Sequence, residues 1–161
     1  MSKLIDNFGR QISYVRLAVT DRCNLRCQYC MPAQGIDIVP RKELLTYKEM
    51  YRIIRVLTEL GVNKVRLTGG EPFARKDFMS FLEMLSYNDL LDAINITTNG
   101  ALVSKHIHTL EKLDKIKNIN LSIDSLHADK FAKITRRDVF PEVYETFELL
   151  EKSSLNLKLN V

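Results

Sequence analysis

Short aliphatic and β-branched runs recur along this chain, and each is followed by a stretch whose apolar residues return every three or four positions. Side chains alternate across a strand and repeat about every 3.6 residues in a helix, so the two patterns predict strands and helices in turn. Strands are expected at residues 12–19, 64–68, 93–98, 119–124 and 155–161. A helix is expected to open at Thr46, where Thr46 and Glu49 make a capping-box pair, each able to satisfy a backbone donor at the other's position. Met50, Ile53, Ile54, Leu57 and Leu60 would form its apolar face, and Gly61 would end it in a left-handed conformation. Further helices are expected after Asp77, with Phe78, Phe81, Leu82 and Leu85 on one side, and near residues 104–113, 129–134 and 141–152.

Strands that alternate with helices imply an α/β fold with a parallel sheet and outer helices. A doubly wound sheet and a (β/α) barrel, whole or partial, both fit. The glycine-rich turn of a dinucleotide-binding fold is missing after the first strand, which favours the barrel. Five strands do not close a parallel barrel easily. The expected architecture is therefore a partial (β/α) barrel of about five parallel strands, truncated at its C-terminus. A last strand with no helix after it would leave an open edge, so pairing with a second copy or another partner is expected.

The chain has 161 residues, enough for one compact core, with 45% apolar and 27% charged side chains. No apolar run approaches the roughly 20 residues that span a bilayer, and the first residues lack the apolar core of a signal peptide. A cytoplasmic protein with no membrane partner is expected. The net charge of +4 is spread along the chain, without the dense basic stripe or aromatic motif of a nucleic-acid module. Scattered cations suit a solvated surface, or an anionic ligand such as a nucleotide polyphosphate.

The three cysteines change the picture, because all fall within eight residues: Cys23, Cys27 and Cys30, spaced C-x3-C-x2-C on the loop after the first strand. An odd, clustered set with no secretory signal argues for metal or redox chemistry over a disulfide framework. Thiolates are the usual ligands of iron–sulfur clusters. Three of them can hold three irons of a [4Fe–4S] cluster and leave the fourth iron open to a small molecule. Zinc is the competing reading. A structural zinc site wants four ligands, however, and His106, His108 and His127 lie far along the chain without ligand spacing. Gly69-Gly70-Glu71-Pro72 follows the second strand, Thr97-Thr98-Asn99-Gly100 the third, and Ser122 and Asp124 the fourth. Each motif alone could be an ordinary turn or cap. Together they lie at the C-terminal ends of successive strands, the face on which parallel (β/α) barrels build active sites.

The cysteine spacing, with Tyr29 before its last member, resembles the radical S-adenosylmethionine (SAM) superfamily, whose cluster leaves one iron for SAM. VRLAVTDRCNLRCQYCMP, KVRLTGGEP and INITTNG, in that order, resemble more closely the molybdenum cofactor biosynthesis protein A family, whose enzyme is GTP 3′,8-cyclase. The resemblance implies that Cys23, Cys27 and Cys30 bind the cluster, and that Tyr29, Gly69, Gly70, Glu71 and Ser122 contact SAM. It implies GTP contacts from Arg16, Lys64, Arg66, Thr97 and Lys158, and a reducing electron donor as partner. Cations suit a triphosphate, Arg as a planar fork and Lys as a point charge. Arg16, Arg66 and Lys158 also interrupt apolar strands, where an unpaired charge is costly. The family carries a second cysteine-bound [4Fe–4S] cluster in a C-terminal region. With three cysteines in all, residues 1–161 are expected to form an incomplete radical SAM core without that cluster, inactive alone. Another radical SAM enzyme, one that modifies or activates peptides or proteins, and a non-catalytic zinc module are the alternatives.

Overall fold

The structure, a computed structural model, describes residues 3–161. Five strands, β1 (Tyr14–Ala18), β2 (Lys64–Thr68), β3 (Ala93–Thr98), β4 (Ile116–Ser122) and β5 (Asn156–Asn160), form one sheet in sequence order, and every neighbouring pair is parallel. Between them run α1 (Tyr47–Glu59), α2 (Phe78–Ser86), α3 (Ile107–Glu111), α4 (Ala128–Thr135) and α5 (Phe140–Glu151). Parallel connections are nearly always of one hand, so a strand order that never reverses puts the helices on one face of the sheet, against the buried strand residues. The sheet does not close, since β1 and β5 each pair on one side only.

The apolar alternates of the strands face the helices. Val65, Leu67, Ile94, Ile96, Ile119 and Leu121 are fully buried, and they pack with Ile54 of α1, Phe81, Leu82 and Leu85 of α2, Leu110 of α3, Phe131 of α4 and Val143 of α5. The other alternates form polar rows across the opposite face. Arg16, Arg66, Asn95, Asn118 and Asn156 are in register along one row. One step towards the strand ends, Thr97, Asn120 and Lys158 are in register on β3, β4 and β5.

Several expected bounds shift. β1 is shorter than residues 12–19, and β5 is trimmed at both ends. β4 begins at Ile116 and ends at Ser122, so Asp124 lies beyond the strand. A register irregularity at Ile94/Asn95 accounts for its early start: Ile94 pairs Ile116 while Asn95 pairs Asn118, leaving Lys117 as an extra residue. Residues 104–113 fold as a 3-10 turn at Ser104–His106 followed by the short α3. On α1 the buried stripe is Met50, Ile54 and Thr58, whereas Ile53 is 42% exposed.

Candidate cluster and nucleotide site

The cysteine loop leaves the end of β1 and is held from two sides. Val19 N–H donates to Thr68 O at 2.8 Å, Gly70 N–H to Thr20 O at 2.8 Å and Glu71 N–H to Arg22 O at 2.7 Å, so the loop continues the β1–β2 ladder past the strands. The glycines permit that approach. A Cβ on Gly69 would lie 2.4 Å from Thr20 O, and one on Gly70 would lie 2.2 Å from Arg22 O. On its far side the loop caps α4. The last carbonyls of a helix lack partners within it. Here Thr135 O accepts from Arg26 N–H and Ile134 O from Gln28 N–H, both at 2.9 Å, and Lys133 O accepts from the Gln28 side chain at 2.7 Å. Arg136, in the left-handed region at φ 54°, returns its guanidinium to Arg26 O and Met31 O, each at 3.0 Å.

Within the loop Leu25 is buried as an anchor, Cys27 is buried, Cys23 is half-buried and Cys30 is exposed, all as free thiols. Burial pushes the Cys27 thiol up to about 11, with Cys30, Asp124 and Cys23 adding to the rise against a hydrogen bond from Tyr29. Burial raises Cys23 as well.

Glu71 ties the second motif to the third. It is fully buried, with Oε1 accepting from Thr98 Oγ1 at 2.8 Å and from Phe73 N–H at 3.1 Å, and Oε2 accepting from Asn99 N–H at 2.7 Å. Burial raises its pKa, and the three hydrogen bonds oppose that rise. Asn99 then reaches the cysteine loop, donating to Asn24 Oδ1 at 2.8 Å and lying 3.7 Å from Cys23 Sγ. Three motifs far apart in sequence thus form one hydrogen-bonded rim.

Two cavities open on the polar face. One, of about 410 Å3, is lined by Tyr29, Ser122, Asp124, Asn160 and Val161, with Tyr29 Oη donating to Asp124 Oδ2 at 3.2 Å. The other, of about 450 Å3, is lined by Tyr14, Arg16, Arg66, Thr68, Thr97, Asn120, Lys158 and Asn160. Arg66 is oriented there by Tyr14, whose hydroxyl accepts from Nε at 2.7 Å, with Thr97 Oγ1 at 3.4 Å from Nη1. Among the described residues the ion pairs are Asp6–Arg10, Arg55–Glu59 and His108–Glu111, so Arg16, Arg66 and Lys158 face the cavity without a paired carboxylate.

A family model described as the radical SAM superfamily matches residues 17–160. The chain belongs to that superfamily. The GTP 3′,8-cyclase of Desulforamulus reducens is 42% identical over 159 residues, covering 98% of this chain and 49% of that protein. The molybdenum cofactor biosynthesis protein 1 of Drosophila melanogaster is 41% identical over 159 residues, covering 99% of this chain and 28% of that protein. The chain spans about half the length of bacterial relatives it matches. Among solved structures, Streptococcus suis SuiB bound to S-adenosylmethionine superposes with a TM-score of 0.73 at 21% identity, over 93% of this chain and 34% of that one. The maturase HydG superposes with a TM-score of 0.69 at 16% identity, over 91% of this chain and 34% of that one. These two likenesses show the fold.

Membership in the radical SAM superfamily implies a [4Fe–4S] cluster and SAM, and the loop's chemistry fits them. Cys23, Cys27 and Cys30 are three free thiols on one loop, the donor type that such a cluster takes, and they would hold it. Of the residues that resemblance assigns to SAM, Tyr29 and Ser122 share the first cavity. Gly69 and Gly70 lie under the cysteine loop, and the Glu71 carboxylate is turned inward to Thr98 and Asn99. Of the residues assigned to GTP, the second cavity gathers Arg16, Arg66, Thr97 and Lys158, while Lys64 lies outside its lining. Tyr14, Thr68, Asn120 and Asn160 also line it, and sequence reasoning did not single them out. Their signal was parity: each stands an even number of places from a recognised site residue on its own strand.

Proposed function

We propose that this chain carries the radical-generating core of a GTP 3′,8-cyclase of molybdenum cofactor biosynthesis. The observation that carries the reading is one cavity holding three unpaired cations, Arg16, Arg66 and Lys158, on the sheet face below the cysteine-loop rim. Such a cavity suits a triphosphate. Cys23, Cys27 and Cys30 would hold the cluster, with Tyr29, Ser122 and the Gly69–Gly70 backbone against SAM. Glu71 would act as the brace that keeps these loops together. When bound, cluster and SAM supply a 5′-deoxyadenosyl radical for hydrogen abstraction at the ribose C3′ of GTP. The C3′ radical would then add to C8 of guanine, and one electron from a low-potential reductant together with one proton would convert the resulting nucleotide radical to (8S)-3′,8-cyclo-7,8-dihydroguanosine 5′-triphosphate. The chain's own part is to grip the triphosphate with its cations, orient the ribose towards SAM and keep water from the radical.

Residues 1–161 are proposed as one radical SAM core unit. The second cluster of the family needs cysteines from elsewhere, because the three present are in this loop. A low-potential reductant is the expected electron donor, and the cytoplasm, where thiols stay reduced, the expected compartment. The test is anaerobic reconstitution with iron and sulfide, followed by EPR of the reduced protein with and without SAM and equilibrium dialysis of GTP. About four irons and four sulfides per chain, a spectrum altered by SAM, and bound GTP support the reading. Zinc without sulfide would overturn the cluster assignment. A SAM-responsive cluster that ignores GTP would point to a different radical SAM substrate.

A further inference from the structure

Among the described residues, one buried side-chain atom in the lining of the cation cavity has no partner inside the protein. Asn120 is 4% exposed, and its Oδ1 is buried and accepts no hydrogen bond. Its neighbour on the same strand and face behaves differently: Asn118 Nδ2 donates to Asn95 Oδ1 at 2.7 Å. Asn120 is flanked in register by Thr97 on β3 and Lys158 on β5. No asparagine stands opposite it to close a similar pair. Buried acceptors are nearly always satisfied, and an exception in a cavity wall points to a donor supplied by a ligand.

The position of Asn120 narrows that donor. Residues two apart on a strand share a face and lie roughly 6.5–7 Å from each other. Arg16 and Arg66 stand one row below the Thr97–Asn120–Lys158 row, and Ser122 stands one row above it, on the cavity shared with Tyr29. A nucleotide with its phosphates on the cations and its reacting carbon towards Ser122 and Tyr29 brings its sugar to Asn120. A carboxamide is suited to a ribose diol, because it accepts from one hydroxyl through Oδ1 and donates through Nδ2. We infer that Asn120 is a substrate-contacting residue that holds a ribose hydroxyl of the nucleotide. The inference rests on the GTP reading above and adds a named contact to it: the site would select ribonucleotides over their deoxy analogues.

The test is equilibrium dialysis of GTP, 2′-deoxy-GTP and 3′-deoxy-GTP against the cluster-loaded protein and against Asn120→Ala and Asn120→Ser. The native protein is expected to bind one deoxy analogue about tenfold more weakly than GTP, the effect of one hydrogen bond to a buried acceptor. Asn120→Ala is expected to bind GTP about tenfold more weakly and to lose that discrimination, with Asn120→Ser recovering part of both. Thermal melting without nucleotide serves as the control for folding. Removing an acceptor with no partner should leave the melting temperature unchanged or raise it, whereas a purely structural role would lower it in both variants. A native protein that binds no GTP would sink the functional reading itself. Native GTP binding with the deoxy penalty intact in Asn120→Ala would overturn the Asn120 inference alone.

Discussion

Replacing Gly70 by alanine puts a methyl group where the cysteine loop already lies. The new Cβ would sit 2.2 Å from Arg22 O, 2.5 Å from Arg22 C and 2.9 Å from Asp21 O, all of them backbone atoms that no rotamer change can move. Reaching the 3.4 Å of ordinary contact requires the Arg22 carbonyl to withdraw by about 1.2 Å. The bond it accepts from Glu71 N–H, now 2.7 Å, cannot survive that shift. Losing it costs about 1 kcal/mol, and overpacking adds about 1–3 kcal/mol, so Gly70→Ala should destabilise by about 2–4 kcal/mol. Domains are stable by roughly 5–15 kcal/mol, so the variant should still fold, melting roughly 4–16 °C lower. Cys23 follows Arg22 directly and would be carried out of place. Iron and sulfide per chain after anaerobic reconstitution should then fall well below native, beyond the loss of stability. Gly9→Ala is the control: its Cβ meets nothing within 4 Å, yet φ +77° strains an alanine there. That variant should lose about 1–2 kcal/mol and keep full iron. A Gly70→Ala protein with native iron content and a native urea midpoint would refute the close-approach reasoning.

Two further outcomes follow from the rim and the cavity. Tyr14→Phe removes the hydroxyl that accepts from Arg66 Nε at 2.7 Å, so GTP affinity should fall about two- to tenfold by dialysis while the reduced EPR spectrum stays native; unchanged affinity would show that Arg66 needs no such support. Burial holds the Glu71 carboxyl above its ordinary 4.5, so the unfolded chain loses this proton first and native stability falls as pH rises upward from that value, until the folded group has titrated too. Glu71→Gln should flatten that limb in urea midpoints taken across pH, and a variant with the native slope would refute the assignment.

The legible parts of this structure are those that local chemistry decides. β2 and β3 fall where their β-branched runs predict, and Thr46 and Glu49 close their capping box, with Glu49 N–H on Thr46 Oγ1 at 3.3 Å and Thr46 N–H on Glu49 Oε2 at 2.6 Å. Gly61 ends α1 at φ +97°, as its position suggests. β4 was displaced because the extra residue at Lys117 breaks the two-residue period that pattern reading relies on. The cysteine spacing marks the loop, but not what holds it. Gly70 under Arg22, Glu71 against Thr98 and Asn99, and the α4 carbonyls beneath Arg26 and Gln28 are contacts between distant segments. Nothing in the local sequence distinguishes a brace such as Glu71 from a residue that touches the ligand. Asn120 was hidden for a related reason: its significance is a missing partner, visible only once its neighbours are in place.

The strands nevertheless carried a signal about the site that lies in their alternation. Parallel strands covered on both faces read as nearly continuous apolar runs, because helices bury each side. Here β2 reads KVRLT and β5 NLKLN, with apolar and polar residues in strict turn, and β1 reads YVRLA, which keeps that order as far as Leu17. Such a strand has one face for the helices and another that must meet water, a ligand or another polar surface. Burying Arg16, Arg66 and Lys158 against an apolar partner would leave costly unpaired charges, so an anionic occupant is the favourable one. The same two-residue period thus serves both ends at once: Val65 and Leu67 build the core while Lys64, Arg66 and Thr68 face away from it. A one-residue slip of β2 would bury its cations and expose its core residues together, so the packing that stabilises the sheet also fixes the direction in which Arg66 points.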